Sequence, residues 1–297
     1  MASNEGKTLT YVIIFAPDMW GEVQKFSHFA FTTYNLPIHA NIALRGIEGH
    51  FEKYSILMGL SQSLAPKIVE DHEELAKQGF SKATHSKELA AVIDTLFCEL
   101  YSVVDCTRTV IGTIYGKFRN IPTDSTSKLF KKAAEDIIDE RVPLEIRIAL
   151  KEAQNDWFPR LKEIRDAINH SGIGSCSELD GKISYYHDRL GKTKNNVLVT
   201  EDAFQEVSKY ADNVNKFIER VFHCLNLTLN DIETIQICGI FGGPYYQRFI
   251  KPNEARDFHS GRCKSFESFE KGLMPICPFI KSCGAYGRVL EQKNSHN

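Results

Sequence analysis

Lys87–Gly116, KELAAVIDTLFCELYSVVDCTRTVIGTIYG, sets the fold class. Its apolar residues are Leu89, Val92, Ile93, Leu96, Phe97, Leu100, Val103, Val104, Val110, Ile111 and Ile114. Steps of three and four keep them on one face for about eight turns of helix. A helix that long must bury its stripe against at least two neighbours. A second line, Glu99, Ser102, Cys106 and Thr109, reads as a solvated face, because charged and hydroxyl side chains are mostly exposed.

Helical spacing continues downstream. Residues 116–127 form a connector around Pro122, and Ser127–Asp139 reads as a short helix. Pro143 opens a run holding Ile146, Ala149, Leu150, Ala153, Trp157, Leu161, Ile164 and Ile168. Pro159 either kinks this run or sits in the first turn of a fresh helix capped by Asp156. Ser171-Gly172-Ile173-Gly174 provides the stop. Lys182–Arg189 and Asn195–Thr200 alternate like the strands of a small β-hairpin around a Gly-Lys-Thr-Lys-Asn-Asn turn. Thr200-Glu201-Asp202 then caps an amphipathic helix reaching about Leu227.

Upstream, Thr8–Phe15 reads as a short strand, with Pro17 and Gly21 marking a turn. Asn41–Leu64 is helical in pattern but interrupted by Gly46, Gly49 and Gly59, each costing a helix about 1 kcal/mol against alanine. Residues 230–297 hold glycines, aromatics and four cysteines with little periodicity. The expected organisation is a mixed, helical extension over 1–84, a helical bundle over 85–228, and an irregular Cys/aromatic extension over 229–297. The fold class is mainly α.

The 297 residues are 42% hydrophobic and 25% charged, ordinary for a globular protein. The net charge of −2 leaves nucleic acid only a local patch to bind. No run approaches the roughly 18–20 apolar residues of a membrane span, so no membrane partner is expected. The polar start, Met1–Lys7, does not read as a secretory signal, so the expected location is cytoplasmic and the eight cysteines are expected to be reduced.

Arg165-Asp166-Ala167-Ile168-Asn169-His170 carries the chemistry. Arginine offers a fixed fork of donors to a phosphate, and histidine exchanges protons near neutrality. Arg45-Gly46-Ile47-Glu48-Gly49-His50 has the same spacing, but glycines at both ends leave nothing to hold its geometry. At about 100° per residue, Asp166 and His170 share a face, as do Arg165 and Asn169, whereas Arg165 and His170 stand about 140° apart. They converge only if the helix loosens at its end or a second chain completes the site.

The long helix at 87–116, a second ending in Arg-Asp-x-x-x-His, and the closing helix at 201–227 together resemble the HEPN superfamily, over about half the chain. Its signature is an arginine, usually followed by Asn, Asp or His, then a histidine four to six residues farther on. Arg165, Asp166 and His170 match those positions. The resemblance implies a HEPN-like helical bundle that acts as a homodimer, with two motifs facing one cleft. It implies a metal-independent ribonuclease in a toxin–antitoxin or antiviral defence setting, with RNA as substrate and an antitoxin or defence-system protein as partner. Arg165, His170 and Asp166 would be catalytic, and Asn169 would bind substrate. A family subgroup carries a modifiable tyrosine two residues after the histidine; Gly172 stands there instead. A non-catalytic HEPN-like module that binds RNA or protein is the alternative.

No cofactor is expected. Cys238, Cys263, Cys277 and Cys283 read as reduced structural residues, with a zinc site as the lesser alternative, since no Cys-x-x-Cys pair occurs among them. Lys251, Arg256, Arg262 and Lys264, among Tyr245, Tyr246, Phe249 and Phe258, read as ordinary mixed surface rather than an RNA-contacting patch.

Overall fold

A computed structural model describes residues 11–191 and 197–295. The element order is β1 (Val12–Ile14), α1 (Glu22–Phe29), α2 (Ile38–Leu64), α3 (Ile68–Gln78), α4 (Thr84–Tyr115), α5 (Thr126–Ala134), α6 (Leu144–Asn155), α7 (Phe158–His170), β2 (Ser175–Leu179), β3 (Lys182–Tyr186), β4 (Leu198–Thr200), α8 (Ala203–Asn226), β5 (Thr234–Phe241), β6 (Tyr245–Ile250), β7 (Arg262–Cys263), α9 (Phe266–Glu270) and α10 (Gly284–Ser295). The protein is mainly helical, with small antiparallel sheets. No helix among the described residues is long and apolar enough to cross a membrane.

The chain divides into two compact units, 36–224 and 1–35 with 225–297. These boundaries differ from the expected 84/85 and 228/229. Residues 36–84 join the first unit because α2 packs along α4 and α3 meets its first turns. Residues 1–35 join the tail because β1 pairs antiparallel with β5, Val12 opposite Phe241.

The unit at 36–224 is built on α4. Leu89, Ile93, Leu96, Phe97, Leu100, Val103, Val104, Val110 and Ile111 are all fully buried there. Burying each such side chain stabilises the fold by about 1.5–3 kcal/mol before chain entropy is counted. The line from Glu99 to Thr109 is half-buried, not solvated, since α2 covers it. His50 Nδ1 meets Glu99 Oε2, and Gly46 lies so close to α4 that a Cβ there would stand 2.9 Å from Cys106 Sγ. The glycine that weakened the helical pattern therefore permits the close approach of the two helices.

At Pro159 a fresh helix starts. Asn155 ends α6 and Phe158 begins α7, with Trp157 rather than Asp156 at the N-cap. Phe158 stacks on Phe130 of α5 with centroids 4.0 Å apart and planes at 23°. Phe217 of α8 adds a second ring 5.4 Å from Phe130, and Tyr101 of α4 lies 6.0 Å from Phe158. These rings join α4, α5, α7 and α8. Asp202 Oδ1 accepts the Gln205 N–H and caps α8 at 3.0 Å, as its sequence indicates.

The hairpin forms with Tyr186 opposite Leu198, although its turn at 192–196 lies outside the described residues. A third strand, β2, pairs with β3 from Ser175–Tyr186 to Leu179–Lys182. Asp180 and Gly181, with φ of 52° and 75°, make the tight turn between them. Paired central residues of positive φ suit the right-handed twist of a two-residue hairpin.

The other unit corrects the expectation of an irregular tail. Its sheet runs β1-β5-β6-β7 and is antiparallel throughout. The β5–β6 register shifts between Ile237 and Gly239, which breaks the period of two that marks a strand in sequence. Phe29, Ile250 and Ala255 form a buried cluster with Trp20 and Leu229 against it. Of the expected strand Thr8–Phe15, Val12–Ile14 forms β1, and residues 8–10 lie outside the described ones.

The ring cluster yields a stability test. Phe130→Ala is expected to cost about 3–5 kcal/mol, because the stacked neighbours cannot fill the space left behind. Urea unfolding followed by circular dichroism should show that loss; a cost within about 0.5 kcal/mol, typical of a surface site, would contradict the packing.

Candidate active site

The buried face of α7 consists of Phe158, Leu161, Ile164 and Ala167. This places Lys162, Arg165 and Asp166 half-buried at its margin, and Asn169 and His170 exposed at its end. The Arg165 guanidinium lies over the Tyr101 ring, Cζ 4.8 Å from the centroid. One of its nitrogens, Nη1, donates to Asp166 Oδ1 at 3.0 Å. The other carboxylate oxygen of Asp166 accepts from Lys162 Nζ. Tyr101 and Asp166 thus hold Arg165 from two sides, while 38% of its side chain remains in solvent.

Charge settles which partners Asp166 takes. Burial works to raise its pKa, but the hydrogen bonds and charges of Lys162 and Arg165 outweigh it and hold the carboxyl below its ordinary value. Asp166 shares a helical face with His170 yet turns to the cations one turn back and one residue back. His170 makes no hydrogen bond or ion pair among the described residues, and neither does the Asn169 side chain. The structure therefore brings Arg165 and Asp166 together and leaves His170 and Asn169 apart from them.

The helix does not loosen before His170. Regular α-helix runs through that residue, and Ser171 then turns to extended backbone with φ −140° and ψ −171°. Of the two routes that would join Arg165 to His170, only a second chain is left open by this geometry. The competing Arg45–His50 spacing serves the α2–α4 contact, through His50 and Glu99.

Beneath the end of α7 lies a buried polar network that the sequence reading missed. Tyr185 donates its phenol proton to Asp94 Oδ1, and the Gly174 N–H points at Asp94 Oδ2 at 3.4 Å. His187, whose side chain is wholly buried, accepts the Arg189 N–H on Nδ1 at 3.3 Å. Its Nε2 lies 3.3 Å from Ser171 Oγ, which donates to the Ala167 carbonyl in the last turn of α7. The His187 Nδ1 also lies 3.4 Å from Asp188 Oδ1. A Cβ on Gly174 would meet the Tyr185 ring at 2.4 Å, so the glycine after α7 makes room for that ring. Two signals were present: an acid at 94 inside the apolar stripe, and Tyr185 and His187 two apart along one strand face.

Burial pushes the Asp94 carboxyl up, against the pull of hydrogen bonds from Tyr185 and Gly174. The Tyr185 phenol is also raised, by burial first and by the nearby Asp94 second. Both shifts favour the neutral forms, and the network reads as structural support for the α7 terminus.

In the other unit, Arg262 and Lys264 flank the Phe249 ring at 5.7 and 6.0 Å, and Arg262 pairs with Glu233 at 2.6 Å. Cys238, Cys263, Cys277 and Cys283 are free thiols that line a single cavity. No family profile, curated protein or solved structure matches the chain.

Removing the phenol tests the network. Tyr185→Phe leaves Asp94 without its closest donor and is expected to cost about 1–3 kcal/mol. The folded pKa of Asp94 is raised, so its ionised form carries a penalty that is relieved as pH falls through that value. The substitution deepens the penalty of the ionised form. The loss measured by urea unfolding should therefore be larger at neutral pH than in acid; an equal or smaller loss at neutral pH would contradict the assignment.

Proposed function

We propose that the chain is a metal-independent RNA endonuclease of the HEPN type whose cleft is completed by a second copy. The observation that carries this reading is the end of α7, which carries a partly exposed arginine held in place by its neighbours and, on another side of the helix, an exposed histidine. The reaction is transesterification. A ribose 2′-oxygen attacks the adjacent phosphorus and loses its proton, the bond to the 5′-oxygen breaks, and that oxygen gains a proton. The products are a 2′,3′-cyclic phosphate and a 5′-hydroxyl, so DNA, lacking the 2′-hydroxyl, is not a substrate.

Arg165 stabilises the charge that develops on the phosphoryl oxygens. It suits that task because Tyr101 and Asp166 fix its plane before substrate arrives. Asp166 acts by positioning Arg165 rather than by orienting His170. His170 moves the proton, a role typically worth about 10²–10⁴ in rate. In a two-fold dimer Arg165 of each chain would meet His170 of the other, and that His170 would act in turn as base and acid, with Asn169 donating a hydrogen bond to the substrate. The setting that fits such an enzyme is defence or toxin–antitoxin control, with a partner protein that restrains it.

A second reading, an RNA- or protein-binding module without cleavage, is favoured by one observation: among the described residues no side chain or backbone group hydrogen-bonds the His170 ring. Purified full chain incubated with mixed RNA and excess chelator separates the two. Cleavage leaving cyclic-phosphate ends is the expected result; retention of RNA without cutting would favour the binding module and overturn the nuclease. Arg165→Ala and His170→Ala are each expected to lower the rate by about 10²–10⁴ with circular dichroism unchanged, since neither side chain belongs to the buried face of α7. His170→Ala cutting at the wild-type rate would overturn the mechanism.

A further inference from the structure

The four thiols of the tail come from four separate places. Cys238 lies in β5, Cys263 ends β7, Cys277 begins a turn, and Cys283 immediately precedes α10. All four line one cavity together with aromatic side chains that include Phe241, Phe258 and Phe279. The segments are tied around it. Tyr246 donates its phenol proton to the Pro275 carbonyl at 3.1 Å, the Cys283 N–H donates to Phe279 O at 2.9 Å, and Arg288 Nε donates to the Gly261 carbonyl at 2.7 Å.

Arg248 lines the same cavity and is fully buried. Its partners are neutral. Nε donates to Gln236 Oε1 at 2.8 Å, and Nη1 donates to the carbonyls of Asp257 and Ser260 at 2.9 Å and to that of Phe258. Nη2 is buried with no hydrogen-bond partner. Guanidinium stays charged in proteins, and a buried cation with an idle donor and no carboxylate bonded to it costs several kcal/mol; Asp257 acts on it only through space, its Oδ1 taken by the His259 N–H and the Ser260 hydroxyl. The cost is offset if an anion occupies the cavity. The N-terminus of α10, directly after Cys283, adds partial positive charge on the same side.

Burial of cysteine as a small apolar residue is common and would account for any one of these thiols. It does not account for the convergence of all four beside a buried cation with an idle donor. The thiols surround the cavity rather than meeting at a point: among the described residues no three His, Cys, Asp or Glu side chains are grouped as one ion requires. The space between the thiols admits more than a single water. A polynuclear core holds its thiolates apart, each on its own iron, and prefers an apolar, water-poor shell.

We propose that Cys238, Cys263, Cys277 and Cys283 ligate a cubane [4Fe–4S] cluster in this cavity, with the Arg248 guanidinium as its buried counter-ion. A cubane offers four equivalent corners, which suits four thiols on four segments with no Cys-x-x-Cys pair. Ligation of a preformed [4Fe–4S]²⁺ core forms four S–Fe bonds and releases four thiol protons to solvent, and no electron moves. The ligated core carries a charge of about −2, which Arg248 halves. The site is separate from the α7 terminus and does not depend on nuclease activity.

The test is iron, acid-labile sulfide and zinc content of the full chain, purified anaerobically and again after incubation with iron, sulfide and thiol. The expected result is about four iron and about four sulfide per chain with broad visible absorbance bleached by dithionite. Zinc without sulfide, two iron with two sulfide, or no iron and sulfide after incubation would each overturn the cubane. Cys263→Ser and Cys277→Ser are each expected to lose most of the cubane iron, and Cys224→Ser, outside the cavity, to keep it. Because the wild-type content decides the matter, a variant that fails to fold leaves the test intact.

Discussion

The buried stripe of α4 is the constraint on which the unit at 36–224 depends. Over Thr84–Tyr115 it presents apolar residues to α2 on one side and to α7 and the β2–β3 strands on others. No other element of that unit meets so many neighbours. Its sequence must therefore satisfy several surfaces at once, and its polar exceptions sit where a neighbour answers them. Glu99 meets His50 of α2, Ser86 exchanges hydrogen bonds with Cys176 of β2, and Asp94 receives Tyr185 of β3. Tyr101, from the same helix, provides the ring on which Arg165 rests.

That arrangement explains what the site at α7 can and cannot do. A packed, straight helix gives Arg165 a fixed plane, and the same straightness keeps His170 pointed elsewhere. Asp166 has two cations in reach, and a carboxylate so placed does not turn to a third partner a full turn away. The network under Ser171 and Gly174 pins the terminus further, through His187 and Ala167. Rigidity here favours pre-organisation of a half-site over self-sufficiency in one chain.

Much of this was legible in sequence where one physical signal acts alone. The three- and four-residue spacing marks α4, α7 and α8, because one face of each is buried and the other is not. The last turns of α7 and the cap of α8 follow from Gly172, Gly174 and Asp202. Legibility failed where two requirements collide. Gly46 lowers helix propensity but is needed for the approach to Cys106. Asp180-Gly181 is a hairpin turn whose first strand, Ser175–Leu179, is too polar to stand out. The bulge at Gly239 shifts the alternation of β5, so a regular sheet reads as an irregular tail. The convergence of four cysteines is a tertiary fact with no local spacing to announce it.

In the proposed mechanism Arg165 and His170 act together only across two copies of the chain. Mixing Arg165→Ala chains with His170→Ala chains, under conditions that let subunits exchange, measures this directly. In each mixed dimer one composite site has neither group and the other has both. Two inactive proteins are expected to regain RNA cleavage on mixing, up to about half the wild-type activity in each mixed dimer. Mixtures that stay as inactive as their parents, while wild-type and variant subunits are shown to exchange, would contradict it.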